Sequence, residues 1–313
     1  MNSFSHILLF IIILFIYIQI THQFKRSEDL EVYEMDYINN SHLHTVCDVK
    51  QPIVFSYFTD FNEKINADTF NQFNNIDMKI KNIHDYKNDD VDYVILPYQN
   101  VNTLFNTDKK GSYFTENNSS FIEESNLIEC FQENDPYLKP HFTMNTIYDI
   151  QSGSVNSYTP LRYHTYYRHF LLVNSGKIRI KFTPWKSKKY LYPIKDYDNY
   201  EFRSPVDVWN TQEKYTNEMN KMKFVEIDVL PNHIIYIPSY WWYSIQYVDD
   251  NTFVSSFTYN SVMNCISNLN HHILYLFQQQ NTKTKVIKTI NVPNCDSIEQ
   301  DTKTTTTETT SSI

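Results

Sequence analysis

Histidine and cysteine are the side chains of this chain that most readily hold a metal ion, and their spacing does not form a metal site. His164 and His169 are five residues apart on one predicted strand, so we expect them to point to opposite faces. His271 and His272 are neighbours on a predicted helix, and neighbouring helix positions do not share a face. The four cysteines have neither Cys-x-x-Cys nor zinc-type spacing: Cys47, Cys130, Cys265 and Cys295. The sequence therefore predicts no metal ligand set from these residues.

The charge balance and the lack of common motifs narrow the function classes. The 313-residue chain has a net charge of −9 and a pI near 5.6. It has no basic stripe of the kind that a nucleic-acid groove needs, so no nucleic-acid partner is expected. Gly-x-Ser-x-Gly, Gly-x-Gly-x-x-Gly and P-loop motifs do not occur, and no cysteine–histidine pair has the context of a nucleophile.

Short strands dominate the second half of the chain and must position any site there. From Tyr158 to Tyr259, runs rich in Ile, Val, Tyr and Phe are bounded by Asn, Asp, Pro or Ser, which predicts a closed or sandwiched antiparallel sheet. Residues 47–150 mix short apolar runs with helical stretches and predict an α+β elaboration. Residues 261–280 predict a C-terminal helix. The Thr-rich residues 281–313 have little to bury and are predicted to be a disordered tail.

The N-terminus is apolar and uncharged. Residues 1–24 contain no Lys, Arg, Asp or Glu, and residues 7–18 are unbroken apolar or aromatic. A spanning helix needs roughly 20 apolar residues and a signal-peptide core roughly 7–15. Because a basic n-region and a small-residue cleavage site are missing, we predict an uncleaved single-pass membrane anchor. A cleaved signal, giving a secreted or lumenal protein, is the alternative. The polar residues 25–46 are predicted to be a tether.

Three sequence blocks occur in fixed order within the strand-rich region. They are YTPLRYHTYYRHFLLVNSGKIRIKFTPW (158–185), LYP (191–193) and IIYIPSYWWYSI (234–245). Together they resemble the cupin-like JmjC proteins related to the asparaginyl hydroxylase of hypoxia signalling, and the YWWYS ending is similar to that of members from large DNA viruses. The resemblance implies a mainly β fold, the double-stranded β-helix or jelly-roll of cupins. Its domain would cover 47–280, with the core at about 158–260.

The resemblance also implies where an iron site would lie. In that family a His-x-Asp pair and a distant His bind Fe(II) and leave positions open for 2-oxoglutarate and oxygen. By position, the first His corresponds to Arg162, the Asp to His164 and the distant His to Tyr243. Arginine offers no lone pair, and tyrosine ligates as a phenolate, which is costly at its usual pKa near 10. One imidazole is not a site, so the resemblance implies a degenerate centre with no metal.

Two further positions of the family are retained. Thr159 and Lys177 correspond to residues that contact the far carboxylate of 2-oxoglutarate, and a lysine in a barrel mouth is a plausible anion anchor. The alternative is structural, with Lys177 as a turn residue after Gly176 and Thr159 as a strand residue. Both readings remain open at the level of sequence.

Arg162 itself leads to a physical expectation. A buried guanidinium without a partner is too costly, so some partner must exist. We expect an internal ion pair with a buried carboxylate, which would fill or narrow the pocket. The alternative is that Arg162 and Lys177 receive an anionic ligand.

These observations predict a membrane-anchored, catalytically degenerate cupin-like protein that acts as a binding or structural module on an unknown protein partner. One alternative is an active Fe(II)- and 2-oxoglutarate-dependent protein hydroxylase with an unusual ligand set. Another is a cupin that binds a sugar or small molecule on aromatic faces. The resembled family also implies a homodimer through the C-terminal helix, although its apolar spacing fits packing within the chain equally well.

Overall fold

An apolar helix begins the chain. The computed structural model describes residues 3–88 and 93–280, so the predicted tail at 281–313 lies outside the described residues. The helix α1 (Ser3–Gln23) contains one stretch, Phe4–Gln23, that is long and apolar enough to cross a membrane or to serve as a signal sequence. Most of its side chains contact nothing else in the chain, which agrees with an anchor or a signal and not with a core helix.

Strands make up most of the body. The strands are β1 (Tyr33–Glu34), β2 (Ile53–Ser56), β3 (Asp77–Asn82), β4 (Tyr93–Pro97), β5 (Tyr113–Thr115), β6 (Thr143–Gly153), β7 (Arg162–Tyr163), β8 (Arg168–Ser175), β9 (Ile178–Thr183), β10 (Ile194–Asp196), β11 (Glu201–Arg203), β12 (Val225–Val229), β13 (His233–Tyr236), β14 (Trp242–Tyr247) and β15 (Phe253–Ser261). The other helices are α2 (Asn40–Cys47), α3 (Phe61–Lys64), α4 (Ala67–Phe70), α5 (Tyr98–Thr107), α6 (Ser119–Glu124), α7 (Ile128–Gln132), α8 (Asp135–Leu138), α9 (Thr216–Met219), α10 (Val262–Ser267) and α11 (Leu269–Gln280).

The described strands form two sheets. One has nine strands in the order β1-β2-β13-β8-β15-β6-β5-β3-β4, and the other has six in the order β10-β11-β7-β14-β9-β12. The pairs are antiparallel except β1 with β2. The predicted β-rich class with helices at both ends is confirmed at this level.

The alternation of side chains on β9 and β14 fixes their register. Ile178, Ile180 and Phe182 of β9 turn into an apolar cluster that also contains Tyr243 of β14. Fully burying one such side chain stabilises the fold by about 1.5–3 kcal/mol, and a slip by one residue would turn the whole set to the other face. The pairing therefore holds Tyr243 opposite Phe182 and, on its other side, opposite Arg162 of β7.

The C-terminal helical region is two helices and not the single helix that was predicted. α10 ends at Ser267 and α11 begins at Leu269, with Asn268 between them. The Asn268 side chain accepts a hydrogen bond from Tyr240 Oη at 2.9 Å and donates to the Thr165 carbonyl at 3.4 Å. These contacts tie Asn268 to the body, and such side-chain bonds compete with helix continuation.

The segment predicted to be a tether contains ordered elements. Residues 25–46 include β1, which pairs with β2, and most of α2, whose Leu43 is fully buried. The Arg26 guanidinium lies 4.3 Å from the ring centres of both Trp185 and Tyr240. Most charged side chains of this segment are exposed, as its polar composition suggests, but Arg26 and Glu28 bind the body.

Candidate functional site

A small polar cavity lies between the two sheets. Its volume is about 90 Å³, and we call it the central cavity. The nine-stranded sheet contributes lining residues from β6, β8 and β15, and the six-stranded sheet contributes them from β7, β11 and β14. Its charged or titratable lining residues include Glu116, Asp149, Arg162, His164, Tyr166, His169, Tyr200, Glu201 and Tyr243. The three positions predicted from the triad, Arg162, His164 and Tyr243, therefore meet at one site.

A larger groove elsewhere has less chemistry. It measures about 410 Å³ and lies beside α5, where its charged lining residues are Asp108, Lys109 and Asp250. Asp108 already accepts hydrogen bonds from the Ser112 amide at 2.6 Å and from Ser154 Oγ at 2.6 Å. Since this groove contains none of the predicted residues, the central cavity is the candidate site.

Arg162 is held by two carboxylates. Both of its terminal nitrogens donate to Glu116, with Nη1 at 2.8 Å from Oε1 and Nη2 bonded to Oε2. Nη1 also lies 3.3 Å from Glu201 Oε1. A bidentate guanidinium–carboxylate pair combines geometry and charge, and Glu116 is only 1% exposed. The prediction that Arg162 forms an internal ion pair with a buried carboxylate is confirmed.

Lys81 adds a second positive charge beside Glu116 and Glu201. Its Nζ, on β3, donates to Glu116 Oε1 at 2.9 Å, and Lys81 is 4% exposed. Burial on its own would raise the pKa of Glu116, but the positive charges of Arg162 and Lys81 outweigh it and hold that pKa well below its usual range. Two cations and two carboxylates, with Glu201 as the fourth member, form what we call the charge cluster.

The two histidines lie on the same side and not on opposite faces, so that prediction is wrong. Their ring centres are 4.8 Å apart. β7 ends at Tyr163 and β8 begins at Arg168, so His164 lies in a connecting segment where strand alternation does not apply. His164 Nε2 donates to the Ile237 carbonyl at 3.1 Å, and His169 Nδ1 lies 2.8 Å from Thr258 Oγ1.

Both imidazoles are neutral at physiological pH. Burial lowers the pKa of His169 to about 3, and the positive charge of Arg162 acts in the same direction. Burial and the neighbouring His169 hold the pKa of His164 well below its usual value. Because Nε2 carries the proton of His164, its Nδ1 is an acceptor, and this atom has no hydrogen-bond partner within the described residues.

Tyr243 remains a neutral phenol. Its side chain is 4% exposed, and burial raises its pKa although the Arg162 charge opposes that shift. The Arg162 guanidinium carbon lies 5.7 Å from the centre of the Tyr243 ring, within the range of a cation–π contact. Tyr243 therefore contributes an aromatic face to the charge cluster and not a phenolate.

This set of donors does not fit an Fe(II) facial triad. Arg162 has no lone pair and uses its guanidinium on Glu116, while Tyr243 keeps its proton. His164 offers one free lone pair at Nδ1, and one donor is too few. No group of three His, Cys, Asp or Glu side chains with metal-holding geometry occurs within residues 3–88 and 93–280.

The other two predicted residues do not line the central cavity. Thr159 is fully buried, where its Oγ1 accepts from the Ile245 amide at 3.0 Å and its carbonyl accepts from Ser244 Oγ at 2.6 Å. Lys177 follows Gly176 in the turn between β8 and β9, and its Nζ is 3.8 Å from Asp228 Oδ2 at the surface. Lys177 is thus a turn residue, as the structural alternative has it, whereas Thr159 lies outside the described strands, between β6 and β7, and binds the backbone of β14.

The carboxylates of the site were missed from the sequence. Glu116 is 46 residues from Arg162, and Asp149 lies on β6, outside the resembled blocks. Asp149 accepts from the amides of Asn117 at 2.9 Å and Asn118 at 2.6 Å, which holds the turn that carries Glu116. Burial raises the pKa of Asp149. The need of Arg162 for a partner was a signal for a carboxylate, but it could not say which of the 36 acidic residues it is.

Comparison with known proteins does not identify a function for the central cavity. No protein-family model matches the chain, and no curated protein matches it. Among solved structures, the chain is similar to one described as the X-ray structure of E. coli ycfD, with a TM-score of 0.46 and 14% sequence identity over 84% of this chain. The match spans 65% of that chain, less than two thirds of its length. A likeness at this level carries no information on activity.

Proposed function

We propose that this chain is a membrane-anchored protein with a JmjC-type double-stranded β-helix, in which a charge cluster has replaced the iron site. The domain acts as a binding or structural module and not as an oxygenase. The observation that carries this proposal is the bidentate pairing of Arg162 with the buried Glu116. Arg162 stands where the resembled family has its first iron ligand.

The arrangement of the strands supports the fold assignment. β7, β9 and β14 belong to one antiparallel sheet and β6, β8, β13 and β15 to the other, and the central cavity lies between them. Two facing antiparallel sheets with a site in the space between them are the general plan of a jelly-roll. The three resembled blocks supply β7, β8, β9, β13 and β14 of this arrangement.

The electrostatics of the cavity support the loss of metal chemistry. A cation that entered beside Arg162 would meet a fixed guanidinium, and it would have to take Glu116 from two existing partners. Placing a cation beside the guanidinium and removing Glu116 from its partners both cost free energy in a site that is largely screened from water. The charge cluster thus takes the electrostatic place of a metal ion and holds the two sheets together across β3, β7 and β11.

Unpartnered polar atoms support a binding role. Within the described residues, His164 Nδ1, Gln151 Oε1 and Glu201 Oε2 are buried beside the cavity without a hydrogen-bond partner. All three are acceptors, so they suit water or a ligand rich in hydroxyl donors. Tyr166 and Tyr200 offer aromatic faces in the same cavity.

The experiment is an iron and turnover assay on the full chain, purified in detergent and incubated anaerobically with Fe(II) before oxygen and 2-oxoglutarate are added. We expect no stoichiometric iron after desalting and no succinate above the protein-free control. Stoichiometric iron together with succinate formation would overturn the proposal and favour the hydroxylase. A thermal shift produced by simple sugars, and lost in His164→Ala, would identify the occupant of the cavity as a polyol.

A further inference from the structure

The two C-terminal helices expose an apolar stripe and carry almost no charge. No Lys, Arg, Asp or Glu occurs between Asp250 and Lys283 in the sequence. Side chains at helical spacing along α10 and α11 are between 41% and 62% exposed, and we call them the outer stripe: Val262, Ile266, Leu269, Ile273, Leu276 and Phe277. A helix face that meets water normally carries charged residues, so this face is built for an apolar or interfacial environment.

Three polar side chains of α11, those of His271, His272 and Gln279, contact the protein. His271 Nδ1 lies 2.9 Å from Tyr197 Oη, and His272 stacks on Tyr200 with ring centres 5.4 Å apart. Gln279 Nε2 donates to the Asp198 carbonyl at 2.8 Å. The amphipathicity of α11 is therefore the reverse of that of a helix covering a protein core. The apolar side is not covered by the part of the chain that the structure describes.

The chain after α1 holds the body in a fixed orientation. The Arg26 guanidinium is stacked on Trp185 and Tyr240, as described above. Two residues later, Glu28 accepts from the Lys186 amide at 3.1 Å through its carboxylate and from Lys186 Nζ at 2.9 Å through its carbonyl. These contacts hold the residues that directly follow α1 against the body.

The element beside the end of α1 is α10. α1 packs against α10, and Gln23 at the end of α1 is 6% exposed. If α1 crosses a bilayer, α10 lies at the surface of that bilayer, and the outer stripe begins there with Val262 and Ile266. Lys283, Lys285 and Lys288 follow α11 in the sequence, before the next acidic residue at Asp296. Basic residues that follow an apolar helix in the sequence suit anionic headgroups.

We propose that α10 and α11 lie in the headgroup region of the same bilayer that α1 crosses, with the outer stripe turned toward the acyl chains. This inference rests on the membrane-anchor part of the proposed function. It makes the C-terminal helices a second membrane contact, so that Tyr200, which lines the central cavity and stacks on His272 of α11, is held near the lipid surface. A second copy of this chain on the outer stripe is the competing occupant.

Photo-crosslinking of the full chain tests this proposal. p-Benzoylphenylalanine replaces Phe277 in protein reconstituted into equimolar phosphatidylcholine–phosphatidylserine vesicles, and adducts are read by mass spectrometry. Phe10 in α1 is the anchor control. Ile95 is the matched exposed control, because it is 52% exposed on β4, at the edge of the nine-stranded sheet opposite β1.

The expected result is a lipid adduct at positions 10 and 277 and none at position 95. A lipid adduct at position 10 without one at position 277 would overturn the second contact and leave the anchor standing. A protein–protein adduct at position 277 would overturn it in favour of a dimer. If position 10 gives no lipid adduct, the anchor fails, and the second contact fails with it.

Discussion

The central cavity and the outer stripe depart from the usual distribution of polar and apolar groups in opposite ways. The cavity buries two cations and two carboxylates, while the stripe exposes six large apolar side chains. In the cavity, Glu116 pairs with both Arg162 and Lys81, and Arg162 also pairs with Glu201, so the buried charges are balanced within the chain, while Glu201 Oε2 and Arg162 Nε have no hydrogen-bond partner among the described residues. On the stripe, no described residue of the chain covers the apolar face, so its partner is not part of residues 3–88 and 93–280.

This difference separates two kinds of evidence about function. A buried cluster whose charges are paired within the chain needs no further partner to explain its burial. An exposed surface that is incomplete points to a partner. The outer stripe is therefore the one of these two regions whose partner is not found among the described residues.

The largest effect is expected from breaking the charge cluster at its centre. Glu116→Ala leaves Arg162 and Lys81 beside each other with only Glu201 to balance them. Loss of one partner of a buried ion pair costs about 3–5 kcal/mol of unfolding free energy. Chemical denaturation followed by tryptophan fluorescence measures this loss.

Asp228→Ala is the matched control for that substitution. Asp228 pairs with Arg179 at 2.6 Å, but the two side chains are 39% and 35% exposed. A pair in contact with water is worth less than about 1 kcal/mol. Equal losses in the two variants would mean that the cavity is open to solvent and that the comparison is wrong.

Removing both partners should cost less than removing one. In Glu116→Leu with Arg162→Met, Lys81 and Glu201 remain as one cation and one carboxylate, and no charge is left in excess. Replacement of a buried pair by apolar groups of similar volume is often close to neutral. We expect the double variant to be more stable than Glu116→Leu alone by about 1–3 kcal/mol, the usual coupling of residues in contact. Additive losses in the double-mutant cycle would contradict the cluster.

Acid should destabilise the protein through the buried histidines. In the folded state burial lowers the pKa of His169 to about 3, whereas an unfolded histidine titrates near 6.5. As the pH falls through about 6.5, the unfolded state takes up the proton first, so this stability is present above that pH and is lost progressively toward pH 3. The lowered pKa of His164 decreases the stability over the same pH range. The raised pKa of Asp149 has the opposite effect at the acid end of that range, because the folded state takes up this proton first.

The midpoint of urea unfolding, measured between pH 7 and pH 4.5, tests this sign. It should fall in the natural protein and fall less in His169→Gln, which keeps a hydrogen-bonding side chain opposite Thr258. A midpoint that rises on acidification, or an identical profile in the variant, would mean that His169 is not held neutral.

The smallest effect on stability is expected at the outer stripe. Phe277 is 62% exposed and Leu276 is 59% exposed, so Phe277→Gln with Leu276→Gln should change the unfolding free energy in detergent by no more than about 0.5 kcal/mol. A loss of several kcal/mol would show that these side chains belong to the core. The comparison between the two regions would then not hold.

The sequence was sufficient where the information is local. Short runs rich in Ile, Val, Tyr and Phe predicted the strands of the second half, and the uncharged, apolar N-terminus predicted α1. The carboxylate partner of Arg162 was predicted as a class, because burial of a guanidinium requires one. The position of Glu116 was not predicted, because it depends on the pairing of β3, β5 and β6, which no local pattern encodes.

Failures of the sequence analysis came from contacts between distant residues. His164 and His169 face each other because the chain between β7 and β8 is not a strand, which strand periodicity cannot detect. The polar residues after α1 suggested a tether, yet Arg26 has its partners about 160 and 210 residues away, at Trp185 and Tyr240. In both cases the residue type indicated that the side chain needs a partner, but the sequence did not indicate which distant residue is that partner.

A cobalt titration of the full chain tests the central claim most directly. Under anaerobic conditions, Co(II) bound by protein ligands gives visible absorption bands that report the number of sites and the kind of ligand. We predict no saturable band at stoichiometric cobalt in the natural protein, and we predict that Arg162→His, His164→Asp and Tyr243→His together create one. A saturable one-to-one band in the natural protein, lost on substitution of His164, would contradict the replacement of the metal by Arg162.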